Sequence, residues 1–198
     1  MVALASAEFG GIAGLVNNAG NVRAGRLEAT EESEVVAQVA LKLTGPILLT
    51  RTALPSLRDA DRGLVIDVSS SGIELIAMPF YATYEATKAA IAHLGEALRH
   101  ELYGEGACVL TFYPGATSSP MMESSKAAAA EGFDDEPPES VADAIVEAIL
   151  EGGLTVVRGG QQRSDVIATN REDPSSVDRM LAEREPLLEQ AVASHSSI

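Results

Sequence analysis

Four short apolar runs divide the chain, and turn-forming residues bound each of them. The runs cover residues 12–16, 64–68, 107–113 and 154–157. Unbroken apolar runs of this length are typical of strands that are buried on both faces of a parallel sheet. We therefore predict four strands, of which the first three end in small polar turns.

Between these runs the apolar residues recur at helical spacing. This spacing predicts helices over 2–9, 30–57, 80–103, 137–150 and 174–193. Gly45-Pro46 should bend the second helix, and Pro186 can break the last one. Strands that alternate with helices predict an α/β fold, here a single doubly wound, Rossmann-like parallel sheet of about four strands.

The apolar residues of 118–136 form neither an unbroken strand-like run nor a pattern with helical spacing. The segment combines serine, methionine, an alanine run and acidic residues, which predicts a mobile, partly helical excursion. Excursions of this length often cover a binding site, so this segment is the candidate substrate lid. Residues 174–198 are expected to form a helical C-terminal tail of the same domain.

The composition of the chain argues against two classes of binding partner. The 198 residues suffice for one domain, and they include 29 acidic against 14 basic residues, a net charge of −15. This charge would repel phosphate backbones and anionic membrane surfaces, so nucleic acid and membranes are poor partners. No apolar stretch approaches the roughly 18 residues of a spanning helix. We expect a soluble, cytoplasmic protein.

Cysteine and histidine content argues against disulfides and metals. Cys108 is the only cysteine, which excludes an intramolecular disulfide, and its apolar neighbours predict a buried strand thiol. His93 and His100 are expected at the surface. No cluster of histidine, cysteine and carboxylate residues has the spacing of a metal site.

The candidate chemistry is concentrated in Tyr84 and Lys88, on the helix over 80–103. Residues four apart share one helix face, so the ammonium can sit near the phenol and favour the phenolate. Such a tyrosine could exchange a proton with a substrate hydroxyl or carbonyl nearer neutral pH. The second strand delivers Ser69-Ser70-Ser71 to the carboxyl end of the sheet, where open parallel sheets bind ligands.

Two further turns end neighbouring strands at the same edge. Asn17-Asn18-Ala19-Gly20 follows the first strand, and Pro114-Gly115-Ala116-Thr117 follows the third. Asparagine and glycine allow a backbone to turn tightly and to approach a ligand closely. The three strand ends therefore predict one shared site.

Taken in order, these motifs resemble those of the short-chain dehydrogenase/reductase family, of the classical type, over about residues 1–160. The resemblance implies that Tyr84 is the general acid/base, that Lys88 lowers its pKa and holds the nicotinamide ribose, and that a serine positions the substrate oxygen. It also implies an NAD- or NADP-dependent oxidoreductase that interconverts a small-molecule alcohol and a ketone or aldehyde. The implied cofactor-binding residues are Asn18, Ala19, Gly20, Tyr84, Lys88, Pro114, Gly115, Thr117 and Ser119.

Two positions depart from the family pattern. Family spacing places the catalytic serine 13 residues before the tyrosine, which selects Ser71, whereas counting from the strand end selects Ser70. We prefer Ser71, with Ser70 second. Lys42 stands where the family usually has an asparagine. It either adds a second cation to the site or extends to solvent, and the sequence leaves both interpretations open.

The third departure is a missing motif. The family begins with a strand and a T-G-x-x-x-G-x-G turn that binds the cofactor pyrophosphate, and the 198 residues contain no such motif. We expect an N-terminally shortened sheet that binds NADH or NADPH weakly or not at all. The unpaired edge at 12–16 favours a homo-oligomer. The alternative function is a catalytically silent homologue that acts as an interaction or dimerisation module.

Overall fold

The computed structural model describes residues 1–70, 77–123, 135–158, 160–193 and 195–197. Its helices are α1 (Val2–Phe9), α2 (Glu32–Val39), α3 (Gly45–Asp59), α4 (Ala82–Glu101), α5 (Pro120–Glu123), α6 (Pro138–Glu151), α7 (Gly160–Glu172) and α8 (Pro174–Val192). Its strands are β1 (Gly14–Asn17), β2 (Gly63–Val68), β3 (Ala107–Tyr113) and β4 (Thr155–Val157). A 3-10 turn (Leu27–Ala29) precedes α2, and a π-helical segment (Ala40–Thr44) joins α2 to α3.

The four strands form one parallel sheet in the order β1-β2-β3-β4. Leu64 of β2 lies opposite Gly14 of β1 on one side and Cys108 of β3 on the other, and Thr111 of β3 lies opposite Thr155 of β4. Parallel neighbours need a crossover connection, which α3, α4 and α6 supply in turn. The predicted α/β class, a doubly wound, Rossmann-like parallel sheet, is confirmed.

Helices cover both faces of the sheet. On one face, side chains of β2, β3, α3 and α4 form a buried cluster of Ala53, Leu57, Val65, Leu98, Leu102, Ala107 and Val109. On the other face, α6 packs on β2 and β3 through Ile66, Leu110 and Ala148. Because successive strand residues point to opposite faces, each unbroken apolar run supplies both clusters.

The predicted bend at Gly45-Pro46 stays a prediction, and the structure has a π-helical segment directly before these residues. In the π-helical segment the amide of Gly45 donates to the carbonyl of Ala40, five residues back. Pro46 has no amide hydrogen to offer the carbonyl of Lys42, so a regular turn would lose a hydrogen bond there. Lys42 lies in this wider, π-helical turn and is buried.

Two predictions about single residues are wrong. Cys108 is exposed, because it lies near the start of β3, whereas the buried cluster on that face begins further along the strand at Leu110. Helix α8 continues through Pro186. Pro186 is exposed, so water can reach the carbonyl of Ala182 that its ring leaves unbonded.

The C-terminal tail folds back onto the segment that follows β1. Arg26 forms ion pairs with Glu185 and Glu189 of α8 at 2.7 and 2.6 Å. Beyond α8, the carbonyl of His195 accepts a hydrogen bond from the amide of Ala24 at 3.0 Å. The end of the chain is therefore packed beside the turn after β1.

The predicted excursion over 118–136 begins with α5, and its residues 124–134 lie outside the described part. Its two ends are joined, because Ser118 donates to the carbonyl of Glu136 at 3.0 Å and Glu136 donates to that of Ala116 at 2.9 Å. No helix in the described ranges is long and apolar enough to cross a membrane.

Candidate active site

A cavity of about 940 Å³ lies at the carboxyl ends of β1, β2 and β3. Its walls include these residues predicted from the sequence: Asn18, Ala19, Gly20, Ser70, Tyr84, Lys88, Pro114, Gly115, Thr117 and Ser119. They meet because parallel strands end at one edge of the sheet, so the turns that follow them converge. Ser71 lies outside the described residues. Every predicted site residue that the structure describes therefore lines the same cavity.

Ser70, Tyr84 and Lys88 form the polar centre of the cavity. Ser70 is hydrogen-bonded to the phenol of Tyr84. The Nζ atom of Lys88 lies 5.9 Å from the centre of the Tyr84 ring and donates to the carbonyl of Val68 at 2.8 Å. The hydroxyl of Ser69 donates to the carbonyl of Lys88 at 2.8 Å. These last two bonds fasten the end of β2 to α4, which holds Tyr84 beside Ser70.

The protonation of Tyr84 differs from the sequence-based expectation. Burial raises the pKa of Tyr84 above its ordinary value and the charge of Glu85 raises it further, while the hydrogen bond with Ser70 lowers it. Burial also lowers the pKa of Lys88 to about 8, against a smaller upward effect of Glu85. The net shift at Tyr84 is upward, so in the protein alone this residue is a neutral phenol at neutral pH. The expected shift towards neutral pH is corrected accordingly.

A buried polar cluster lies at the carboxyl ends of β1 and β2, next to the turns that follow these strands. The side-chain amide of Asn17 donates to Asp67 at 2.7 Å and to Thr50 at 3.1 Å. Asp67 is fully buried, and burial raises its pKa to about 6, while the bond from Asn17 lowers it. The cluster joins the carboxyl ends of β1 and β2 to α3, and it thereby fixes the relative position of two of the three turns.

Comparison with known proteins identifies the family to which this chain belongs. The family model described as short chain dehydrogenase matches residues 1–130. The chain belongs to the short-chain dehydrogenase family.

Relatives within the family support the assignment over different lengths. An uncharacterized oxidoreductase from Thermotoga maritima is 34% identical over 111 residues, which cover 56% of this chain and 44% of the relative. The ketoacyl reductase HetN from Nostoc sp. is 28% identical over 173 residues, which cover 84% of this chain and 60% of the relative. The chain thus spans less than two thirds of the length of either relative.

A solved short-chain dehydrogenase shows the same fold. The crystal structure of the enzyme from Burkholderia cenocepacia J2315, in complex with NADP, matches with a TM-score of 0.74 and 26% sequence identity. The match covers 91% of this chain and 73% of that one.

Lys42 of this short-chain dehydrogenase is buried beside Tyr84 and does not extend to solvent. Its side chain is 2% exposed, and Nζ lies 4.4 Å from the centre of the Tyr84 ring. Nζ donates to the carbonyl of Asn21 at 2.9 Å and to Oε1 of Gln38 at 2.8 Å. Of the two interpretations that the sequence left open, extension to solvent is wrong; a second cation stays a prediction, because burial lowers the pKa of Lys42 to about 7.

Glu85 is a site residue that the sequence motif does not single out. It lines the cavity and is 8% exposed. Its charge raises the pKa values of Tyr84, Lys42 and Lys88. A signal was available, because Glu85 lies three residues before Lys88 and so shares its face of α4.

His195 is a second residue that the sequence did not reveal. It is 2% exposed, and its Nε2 lies 3.0 Å from the carbonyl of Met121, which can only accept. Nε2 therefore carries the proton, and Nδ1 accepts from the hydroxyl of Tyr81 at 2.8 Å. Burial lowers the pKa of His195. These contacts join the tail to α5 and to the residue that precedes α4.

The rest of the cavity wall is largely apolar. Its side chains come from the segment before α4, from α5, α6 and α8, and include Met78, Met121, Met122, Ile145, Met180, Leu181 and Leu188. Methionine side chains adapt to ligands of different shape. In the described ranges, no group of three or more histidine, cysteine or carboxylate residues is placed to hold a metal ion.

Proposed function

We propose that this short-chain dehydrogenase is an NAD(P)-dependent oxidoreductase that interconverts an alcohol and a ketone or aldehyde, with Tyr84 as general acid/base. The observation that carries this proposal is the hydrogen bond between Ser70 and Tyr84 in a cavity that Lys88 also lines. A substrate oxygen beside these two hydroxyls would be held by Ser70 within reach of the Tyr84 proton.

The residues around the cavity fit the nicotinamide end of a dinucleotide. The ammonium of Lys88 has three donors and gives one to Val68, which leaves two for ribose hydroxyls. The turn of Asn18, Ala19 and Gly20 offers backbone along the adenosine side, and the nicotinamide end would lie against Pro114, Gly115, Thr117 and Ser119. We propose either NAD or NADP as the cofactor.

When bound, the nicotinamide supplies the hydride for carbonyl reduction or accepts it in alcohol oxidation. In reduction, Tyr84 gives its phenol proton to the substrate oxygen, so the O–H bond of Tyr84 breaks as that of the alcohol forms. The resulting phenolate is stabilised by the hydroxyl of Ser70 and the charge of Lys88. The raised pKa of Tyr84 keeps this proton in place at neutral pH until the substrate oxygen takes it.

The walls of the cavity support an apolar carbonyl compound or alcohol as the small-molecule substrate. Methionine and leucine side chains of α5 and α8 line the space next to Tyr84. Such walls bind by burying apolar surface and leave orientation to the few polar groups of the centre. Of the segment over 118–136, expected from the sequence to be a lid, Met121 and Met122 of α5 contribute to this wall.

An interaction or dimerisation module is a second candidate. An apolar groove supports it, lined by Leu27, Val35, Val39, Leu43, Ala82, Thr83, Ala86 and Thr87 beside α2 and α4. In addition, β1 pairs with β2 alone among the described strands, and Val16 is 56% exposed. A homo-oligomer would cover such surfaces. Light scattering should therefore report more than one copy, which Val39→Glu in the groove should reduce; a monomer would contradict this candidate.

Turnover and cofactor binding separate the two candidates. The chain would be mixed with excess NADH or NADPH and a panel of apolar ketones and aldehydes, and the absorbance of the reduced nicotinamide followed. We expect carbonyl-dependent oxidation of the cofactor, with binding weaker than micromolar by titration calorimetry. A folded chain that oxidises neither cofactor with any carbonyl would contradict the oxidoreductase and favour the interaction module.

A further inference from the structure

Two lysines approach Tyr84 from different elements. Lys88 comes from α4 itself, and its Nζ is 5.9 Å from the centre of the Tyr84 ring. Lys42 comes from the π-helical segment, and its Nζ is closer, at 4.4 Å and over the ring. A cation over an aromatic face is attracted by the ring electrons, and the attraction grows when the ring carries negative charge.

Lys42 is held in this position by two acceptors. Oε1 of Gln38, a residue that is itself fully buried, accepts at 2.8 Å, and the carbonyl of Asn21 accepts at 2.9 Å. Gln38 and Lys42 are four residues apart, so they share one face of the helix. Both acceptors are uncharged, so they orient the ammonium without neutralising it. An ammonium in this place, 4.4 Å from the ring centre, would attract negative charge on Tyr84.

Among the described residues, the two charged groups that shift the pKa of Lys42 both lie on α4. Lys88 lowers the pKa of Lys42 and Glu85 raises it, and burial is the largest effect, so that the pKa is lowered to about 7. Lys42 therefore changes charge within the pH range in which a dehydrogenase works, whereas an exposed lysine would stay charged throughout. Lys42 is mostly protonated and charged below this pH, and it is mostly neutral above it.

We propose that Lys42 is a positioning residue for Tyr84, whose ammonium stabilises the phenolate that forms when Tyr84 gives its proton to the substrate. The inference rests on the role proposed above for Tyr84 as general acid. The charge of a phenolate spreads into the ring, so a cation held over the ring stabilises it without occupying the place of the substrate oxygen. Carbonyl reduction should then be fastest where Lys42 is protonated.

A titration of position 84 tests the inference without turnover. A polyfluorinated tyrosine, whose phenol is more acidic than that of tyrosine, would replace Tyr84 alone, and fluorine NMR would follow its ionisation. In Lys42→Met the pKa of this phenol should rise by about one to three units, the effect of losing a charge within about 4–6 Å. In Lys42→Arg, which keeps the charge, it should stay near the parent value.

Two comparisons guard against indirect effects. Arg51→Met removes an exposed cation from the same helical run, at α3, and should leave the phenol pKa unchanged. Lys42→Gln removes the charge but keeps a polar side chain, so it substitutes for Lys42→Met if that variant does not fold. Equal phenol pKa values in the parent and in the charge-free Lys42 variant would overturn the inference.

The pH dependence of turnover provides the second readout. With the parent chain, kcat for carbonyl reduction should fall as pH rises through the pKa of Lys42, and in Lys42→Arg this fall should move to higher pH because arginine keeps its charge. A profile identical in the parent and Lys42→Arg would contradict the inference. If the parent has no turnover, the proposed function fails, and the fluorine titration still decides the role of Lys42.

Discussion

The hydroxyl of Tyr81 and Nδ1 of His195 lie 2.8 Å apart, across 114 positions of the chain. Tyr81 directly precedes α4, and its ring meets that of Tyr84 edge to face, with the ring centres 6.1 Å apart. The C-terminal tail therefore contacts the neighbour of the proposed acid/base. The stability of this contact depends on the charge of His195.

We predict that the tail contact weakens in acid. Because burial depresses the pKa of His195, its contribution to the free energy of unfolding is complete above the ordinary value of about 6.5 and is lost as pH falls through the depressed value. Denaturant unfolding at a series of pH values should show a decline as pH falls below about 6.5 that is smaller in His195→Gln, the difference changing by at most about 1.4 kcal/mol per pH unit.

Exposed histidines provide the control for this prediction. The side chains of His93 and His100 on α4 are 83% and 65% exposed, so glutamine at either position should leave the pH dependence as in the parent. The pKa of buried Asp67 is raised, which favours the folded state at low pH. Its effect on stability is therefore opposite to that of His195. Equal slopes for the parent and His195→Gln would show that His195 does not control this contact.

How far the sequence predicts the structure depends on the range of the interactions. The strands and the helix that carries Tyr84 follow from apolar periodicity, which is local. Helix α7 was not predicted, because its apolar residues are adjacent, at 166–168, and do not recur at helical spacing. The buried place of Lys42 depends on the carbonyl of Asn21, 21 positions away, and the place of His195 depends on partners 74 and 114 positions away. No local pattern encodes either of these.

Gly95 is predicted to be required where α4 crosses the sheet. A Cβ atom at this position would lie 2.6 Å from Oγ1 of Thr111 and 3.0 Å from Oδ2 of Asp67, both buried. Gly95→Ala should therefore lower the free energy of unfolding by about 1–3 kcal/mol, the usual cost of overpacking. Gly14→Ala is the matched control, since a Cβ there meets nothing within 4 Å. Denaturant unfolding that ranks the two variants alike would refute the close packing.

The serines after β2 are predicted to have separate roles. Ser70 is hydrogen-bonded to Tyr84, so Ser70→Ala should lower kcat by about 100-fold with little effect on folding. The hydroxyl of Ser69 holds the backbone of Lys88, so Ser69→Ala should cost about 1 kcal/mol of stability and far less turnover. Ser71→Ala tests the preference for Ser71 drawn from family spacing: a loss of kcat there, with Ser70→Ala active, would favour Ser71 as the catalytic serine.

The most direct test of the proposed function is the rate of carbonyl reduction by Tyr84→Phe. Phenylalanine keeps the ring that packs against Tyr81 but has no proton to give, so kcat should fall by at least about 100-fold. The free energy of unfolding, measured on the same preparation, should change by less than about 1.5 kcal/mol, the contribution of the lost hydrogen bond to Ser70. A Tyr84→Phe chain that reduces the carbonyl as fast as the parent would contradict the assignment of Tyr84 as the general acid/base.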